Sequence, residues 1–112
     1  MLEYTTEINK GIMFIRLEGE LNNNTFINLY NELEYLLYRQ GIHYYVFNFK
    51  YLKILDQNIF IKIQNILTEI FLSCGQVVMC GLKNIWKKRL GSYYNKLFYV
   101  NNEVDAFKYL KI

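Results

Sequence analysis

The residues able to do chemistry are few. One histidine, His43, stands at the head of an aromatic run, with no serine or cysteine nucleophile near it in sequence. A lone histidine in that position is read as structural. The two cysteines, Cys74 and Cys80, are separated by five residues and lack the spacing of a metal-ligand pair. With a single histidine in the chain, a zinc site is not expected, and none is assigned. Paired carboxylates occur at Glu18 and Glu20 and at Glu32 and Glu34. The first pair alternates across a strand end and the second lies on a helix face, and both are read as solvated. No GxGxxG or GxxxxGK[ST] loop is present to cradle a phosphate. An enzyme would need a site assembled from residues with no recognisable spacing, so neither an enzyme nor a cofactor is expected.

Two polar features remain. Lys83, Lys87, Lys88 and Arg89 form a basic stripe, suited to a wet helix face or to a charged partner surface. Asp56-Gln57-Asn58 is a polar trio set between the apolar stretches Ile54-Leu55 and Ile59-Phe60-Ile61. It falls after a strand and at the opening of a helix. Ligands and partners of parallel sheets gather on that side, and a helix N-terminus presents free N–H groups and the positive end of a dipole. An N-cap at Asp56 is expected.

The elements that position these residues follow from hydrophobic period. Residues 3–9 suggest an edge strand, and Asn9-Lys10-Gly11 a turn. Ile12 to Leu17 is a short apolar strand that Gly19 ends. Asn22, Asn23, Asn24 and Thr25 supply a loop and helix-cap candidates. Phe26, Leu29, Tyr30, Leu33, Leu36 and Leu37 repeat with helical spacing, and Gly41 stops that helix. Tyr44 to Phe49 reads as a buried strand. Ile59, Ile63, Ile66, Leu67 and Ile70 share one face of a second helix, ending near Ser73-Cys74-Gly75. Gln76 to Cys80 is a buried strand. Trp86, Leu90, Tyr93 and Tyr94 suggest a third helix, and Leu97 to Val100 a last strand. Asn101 or Asn102 caps a helix carrying Val104, Phe107, Tyr109 and Leu110.

The order is β, β, α, β, α, β, α, β, α. Helices between strands are crossovers, which implies a mostly parallel sheet. The expectation is a single α/β domain over residues 1–112, with about five strands in a mixed sheet, one antiparallel edge strand and four helices. Isoleucine and asparagine number 13 each, with 11 tyrosines, 8 phenylalanines and no proline. These are residues of A/T-rich codons, so aromatic and asparagine-rich stretches are weak evidence for a specific recognition site. The formal net charge of +3 is too small to argue for direct nucleic-acid binding. Residues 1–11 have neither a basic start nor an apolar core, so no signal peptide is read there. The most apolar window, Ile54 to Leu72, is interrupted by Asp56, Gln57, Asn58, Lys62, Gln64, Asn65 and Glu69, which argues against a membrane span. A cytoplasmic location is expected.

In this order and spacing the chain resembles a STAS domain, and most of all the sporulation-type anti-sigma factor antagonists. Ile15-Arg16-Leu17-Glu18-Gly19-Glu20-Leu21-Asn22 resembles the family's second strand and its Gly-Glu-Leu-Asp turn. Thr25 falls where the family opens its first helix. Val46-Phe47-Asn48-Phe49, Leu52 and Leu55-Asp56 resemble the approach to its Asp-Ser-Ser-Gly signature. Val77-Val78-Met79-Cys80-Gly81 resembles the next strand. Trp86-Lys87-Lys88-Arg89-Leu90 sits in the place of the third helix. Glu103-Val104-Asp105-Ala106-Phe107 resembles the closing Glu-x-x-Ala-Leu helix.

The resemblance implies a protein-binding module whose partner is an anti-sigma factor of the serine-kinase type, so that binding frees a sigma factor. In the family, phosphorylation of a signature serine ejects the antagonist. Here the signature reads Asp56-Gln57-Asn58-Ile59. Asn58 takes the phosphoacceptor position and Gln57 the other serine, and neither side chain accepts phosphate. The expected docking face is Asn22, Asn23 and Asn24 with Asp56, Gln57, Asn58, Ile59, Phe60 and Ile61. The alternative function is a cytoplasmic STAS subunit or regulator of a transporter complex, including lipid transporters. An aromatic-rich surface leaves a homodimer open.

Overall fold

The computed structural model describes residues 2–90 and 97–110. A hairpin opens the chain: β1 (Leu2–Asn9) runs antiparallel to β2 (Ile12–Leu21), with Asn9 opposite Ile12. The two turn residues, Lys10 and Gly11, both have positive φ (53° and 81°). That matches a tight turn whose twist follows the strands. β3 (Tyr44–Leu55), β4 (Gln76–Cys80) and β5 (Leu97–Val100) complete a five-stranded sheet in the order β1-β2-β3-β4-β5. Every pairing after the hairpin is parallel.

Four helices lie between and after these strands among the described residues: α1 (Asn23–Tyr38), α2 (Ile59–Leu72), α3 (Asn84–Leu90) and α4 (Glu103–Tyr109). Strand alternation divides the core between the two faces of the sheet. Met13, Ile15 and Leu17 of β2 and Tyr45, Phe47 and Phe49 of β3 join the larger core. They pack there with Phe26, Leu29, Leu33 and Leu37 of α1, seven residues of α2 and Trp86 of α3. The intervening residues, Ile12, Phe14, Val46, Val78 and Cys80, meet Ala106 and Leu110 on the α4 side. Among the described residues one short helix, α4, packs on that face. Buried Ala106 lets α4 approach closely, whereas Val104 and Tyr109 stay exposed.

The structure differs from the sequence expectations at several boundaries. β2 does not stop at Gly19 but continues to Leu21. Gly19 adopts φ 99°, and the β2–β3 register shifts on either side of it. A glycine tolerates that conformation, so the strand bends rather than ends. β3 continues six residues past Phe49, because its last residues pair with Glu18 to Leu21 of the lengthened β2. α1 begins at Asn23 rather than Phe26. Asn23 and Asn24 are therefore the first turn of a helix and not a loop. Tyr93 and Tyr94 lie outside the described residues.

Cys74 holds a left-handed φ of 62° at the end of α2. There the Gly75 N–H donates to the Ile70 carbonyl (2.9 Å), and the Gln76 N–H donates to the His43 carbonyl (2.9 Å). The turn that ends α2 thus also sets the register of β4 beside β3. Cys80 is buried, and its thiol is pushed up to about 12, first by burial and then by the Glu103 carboxylate.

Candidate functional site

The two polar segments singled out from the sequence meet at one end of the sheet. Leu21 and Leu55, the last residues of β2 and β3, are paired neighbours. Beyond them the Asp56 N–H donates to the Leu21 carbonyl at 2.9 Å. That bond fixes the start of Asp56–Asn58 against the start of α1. The C-terminal ends of parallel strands therefore carry both Asn22–Asn24 and the trio.

Asn22 caps α1 from an extended backbone. Its Oδ1 accepts from the N–H groups of Asn24 (2.9 Å) and Thr25 (3.0 Å). The Thr25 hydroxyl accepts from the Asn22 N–H (2.9 Å) and donates to the Glu20 carbonyl (2.9 Å). This reciprocal box satisfies donors that a helix start leaves open. It also occupies the Asn22 side chain. Asn23 and Asn24 stay exposed and are the residues of this segment available to a partner.

α2 begins differently. Asp56 is not its cap. The flanking residue is Asn58, with helical φ −69° and ψ −14° and no side-chain cap bond. Side-chain capping needs an extended backbone at that position. Here the chain has already turned: the Ile59 N–H donates to the Asp56 carbonyl (3.1 Å) and the Phe60 N–H to that of Gln57 (3.4 Å). Asp56 is half-buried, and Gln57 and Asn58 are exposed. Two polar side chains are thus presented at a helix start without being held by its backbone.

The expected face also needs correction in its apolar part. Ile59 is 0% exposed and Phe60 7%, whereas Ile61 is 68% exposed. Ile59 and Phe60 belong to the core and support the face from beneath. The buried stripe of α2 takes in both Ile63-Ile66-Ile70 and Phe60-Leu67-Phe71. It is wide enough to draw Phe60 inward, and Ile61 falls beyond its edge.

Two exposed apolar side chains on α1 and β3 were missed by sequence reading. Ile27 on α1 is 55% exposed and Ile54 near the end of β3 is 53%. Ile27 falls off the Phe26-Leu29-Leu33 stripe, so its position was readable. Ile54 was hidden by ending the strand at Phe49. Between α1 and α2 a shallow groove is lined by Asn23, Phe26, Ile27, Tyr30, Lys62 and Asn65. At its floor the Tyr30 hydroxyl lies 3.2 Å from Glu34 and 3.4 Å from Glu69. Burial, followed by those two carboxylates, pushes the phenol up to about 12.

Elsewhere a charged cluster gathers around Arg16. Arg16 donates twice to Glu103 (2.7 Å each) and once to Glu7 (2.9 Å), and Asn48 donates to Glu103 (2.8 Å). Arg16 and Asn48 hold the Glu103 carboxyl below the usual carboxylate range, against the opposing effect of burial. In the basic stripe, the Lys83 ammonium lies 4.8 Å from the Trp86 ring centroid and that of Lys87 5.7 Å from Tyr99. Two of its lysines are therefore turned onto rings of the chain itself. Among the described residues no helix is long and apolar enough to cross a membrane.

No family model and no curated protein matches the sequence. The fold does find matches among solved structures. The anti-sigma factor antagonist SpoIIAA in its unphosphorylated form superimposes with a TM-score of 0.81 at 14% identity. That match covers 97% of this chain and 98% of the other. The chain has the STAS fold. The phosphorylated form of SpoIIAA, described as a Bacillus cell fate determinant, gives 0.75 at 13% identity over 96% of this chain and 99% of that one. A serine-to-glutamate variant of RsbS from Moorella thermoacetica gives 0.76 at 17% identity over 96% of each.

Proposed function

We propose that this chain is an anti-sigma factor antagonist: a binding module, not an enzyme, that sequesters an anti-sigma factor and so frees a sigma factor. The observation that carries the reading is the surface joined by the Asp56–Leu21 bond. Asn23, Asn24, Gln57 and Asn58 lie exposed at the C-terminal end of the parallel strands, with exposed Ile61 in the first turn of α2 and Ile27 on α1. Exposed aliphatic side chains among uncharged polar ones suit a protein partner. The STAS fold supports the class of partner.

The module lacks the usual phosphate switch. A phosphate adds roughly −1.5 to −2 charge at its site, and the resemblance places Asn58 where the accepting serine would stand. Asn58 is neutral and has no hydroxyl. The face therefore stays in the state that corresponds to an unphosphorylated antagonist.

The test is capture of a purified anti-sigma factor of the serine-kinase type by the full chain, followed by incubation with ATP and intact-mass measurement. The expected result is a stable complex and no added phosphate. Phosphate on the chain would overturn the unswitched reading. Capture unchanged by a combined Gln57→Ala and Ile61→Ala variant would remove the proposed face.

A further inference from the structure

Among the described residues the first strand presents a free edge. β1 ends the sheet, and its eight residues pair with β2 in one unbroken register. Natural edge strands are commonly blunted by lysine, proline, a bulge or shortness. β1 has no lysine, proline or bulge and is eight residues long; its charged residues are Glu3 and Glu7. The opposite edge, β5, is only four residues long. In an antiparallel hairpin closed by a two-residue turn, the closing pair and every second pair beyond it exchange hydrogen bonds. Asn9, Glu7, Thr5 and Glu3 thus face β2, and the N–H and C=O groups of Tyr4, Thr6 and Ile8 point outward. The side chains of those same three residues lie on the α1–α2 side, where Tyr4 packs half-buried against the core and Ile8 is 56% exposed.

We propose that this edge pairs antiparallel with β1 of a second copy of the chain, about a two-fold axis at Thr6, to make one continuous sheet. Strand overlap and side-chain complementarity select the register, because centring on Tyr4 or Ile8 leaves several residues of the strand unpaired. Opposed residues must lie on the same face of the sheet, which halves the options. Centring on Thr5 sets Glu3 opposite Glu7 on both sides of the axis, and centring on Glu7 sets Glu7 opposite itself. Like charges directly opposed are destabilising. Centring on Thr6 sets Tyr4 against Ile8, Glu3 against Asn9, Thr5 against Glu7, and Thr6 against itself. The exposed isoleucine gains an aromatic neighbour, and no two carboxylates are opposed. The outward groups of Tyr4, Thr6 and Ile8 then form about six hydrogen bonds between the copies. The anti-sigma docking face, at the ends of β2 and β3, does not enter this edge, so the two proposals stand or fall separately.

Sedimentation of the full chain over a concentration series tests the pairing. The mass should rise toward twice the monomer value. Thr6→Pro deletes an outward N–H that β2 does not use, so it should restore the monomer while leaving the circular dichroism unchanged. As a measurement that does not depend on the proline variant folding, Thr6→Cys in a Cys74→Ser background should form an oxidised dimer. Residues in a hydrogen-bonded antiparallel pair are about 5.5 Å apart at Cα, inside the disulfide range. Thr5→Cys in the same background should cross-link several-fold less. A wild-type chain that stays monomeric throughout, a dimer that survives in folded Thr6→Pro, or equal cross-linking of the two cysteine variants would overturn the proposal. Survival of the dimer would place the contact on another face.

Discussion

The Asp56 N–H and the Leu21 carbonyl, 2.9 Å apart, tie the start of the β3–α2 connection to the end of β2. Residues more than thirty positions apart in sequence thereby form one surface. Asn22 caps the helix on one side of that bond, and Gln57 and Asn58 stand exposed on the other. The bond uses only backbone atoms, so neither side chain signals it.

Neighbouring residues at the start of α2 should separate stability from binding. Phe60→Ala removes a buried ring and should cost about 3–5 kcal/mol. Ile61→Ala alters a side chain that is 68% exposed and should leave stability within about 0.5 kcal/mol. Ile61→Ala should nevertheless weaken capture of the anti-sigma factor. Urea unfolding of both variants, beside a titration of the second, checks the contrast.

Asn58→Asp should move stability and binding in opposite directions. A carboxylate at a helix start is favourable by about 0.3–1 kcal/mol. Placed on the docking face, the same charge imitates part of a phosphate and should lower partner affinity by about tenfold or more. Equal affinity for the wild type and the aspartate variant would show that position 58 lies outside the contact.

The Arg16–Glu103 pair should make stability fall in acid. The folded Glu103 carboxyl is held below its ordinary value of 4.5, chiefly by the Arg16 hydrogen bonds. The unfolded chain then binds a proton more readily than the folded one. The contribution is present above the ordinary value and is lost as the pH falls through the lowered one. Both side chains are partly exposed, so Glu103→Gln should cost only about 1 kcal/mol at neutral pH. The variant should show a shallower loss of stability between pH 5 and about pH 2. Thermal melts over that range would check the slope.

Two substitutions at the end of α2 should differ in sign. A Cβ at Gly75 would lie 2.6 Å from Ile70 Cγ2 and 2.8 Å from the Ile70 carbonyl oxygen, and would also overlap the His43 carbonyl. Backbone can yield little there, so Gly75→Ala should destabilise by about 2–3 kcal/mol. Cys74 already holds a left-handed conformation, with φ 62°. Cys74→Gly should relieve that strain and raise stability by about 0.5 kcal/mol, after the greater freedom of unfolded glycine is counted. Chemical denaturation of the two variants would check the signs.

The sequence alone determined the order of elements, the antiparallel opening hairpin, the parallel remainder and a cap of α4 at Asn101 or Asn102; the structure selects Asn102, whose side chain accepts from the Asp105 N–H at 2.9 Å. These are local properties. Hydrophobic period and turn chemistry are written in residues a few positions apart. Tertiary structure decided how far β2 and β3 run, because each extends only where the other supplies hydrogen bonds. It decided that the chain turns before α2 begins, so that Asn58 rather than Asp56 flanks that helix and no side chain caps it. It also decided that Phe60 goes inward and Ile61 outward. Periodicity locates a helix stripe to within a residue or two. The width of the buried stripe is set by what packs against it, and that is fixed by distant parts of the chain.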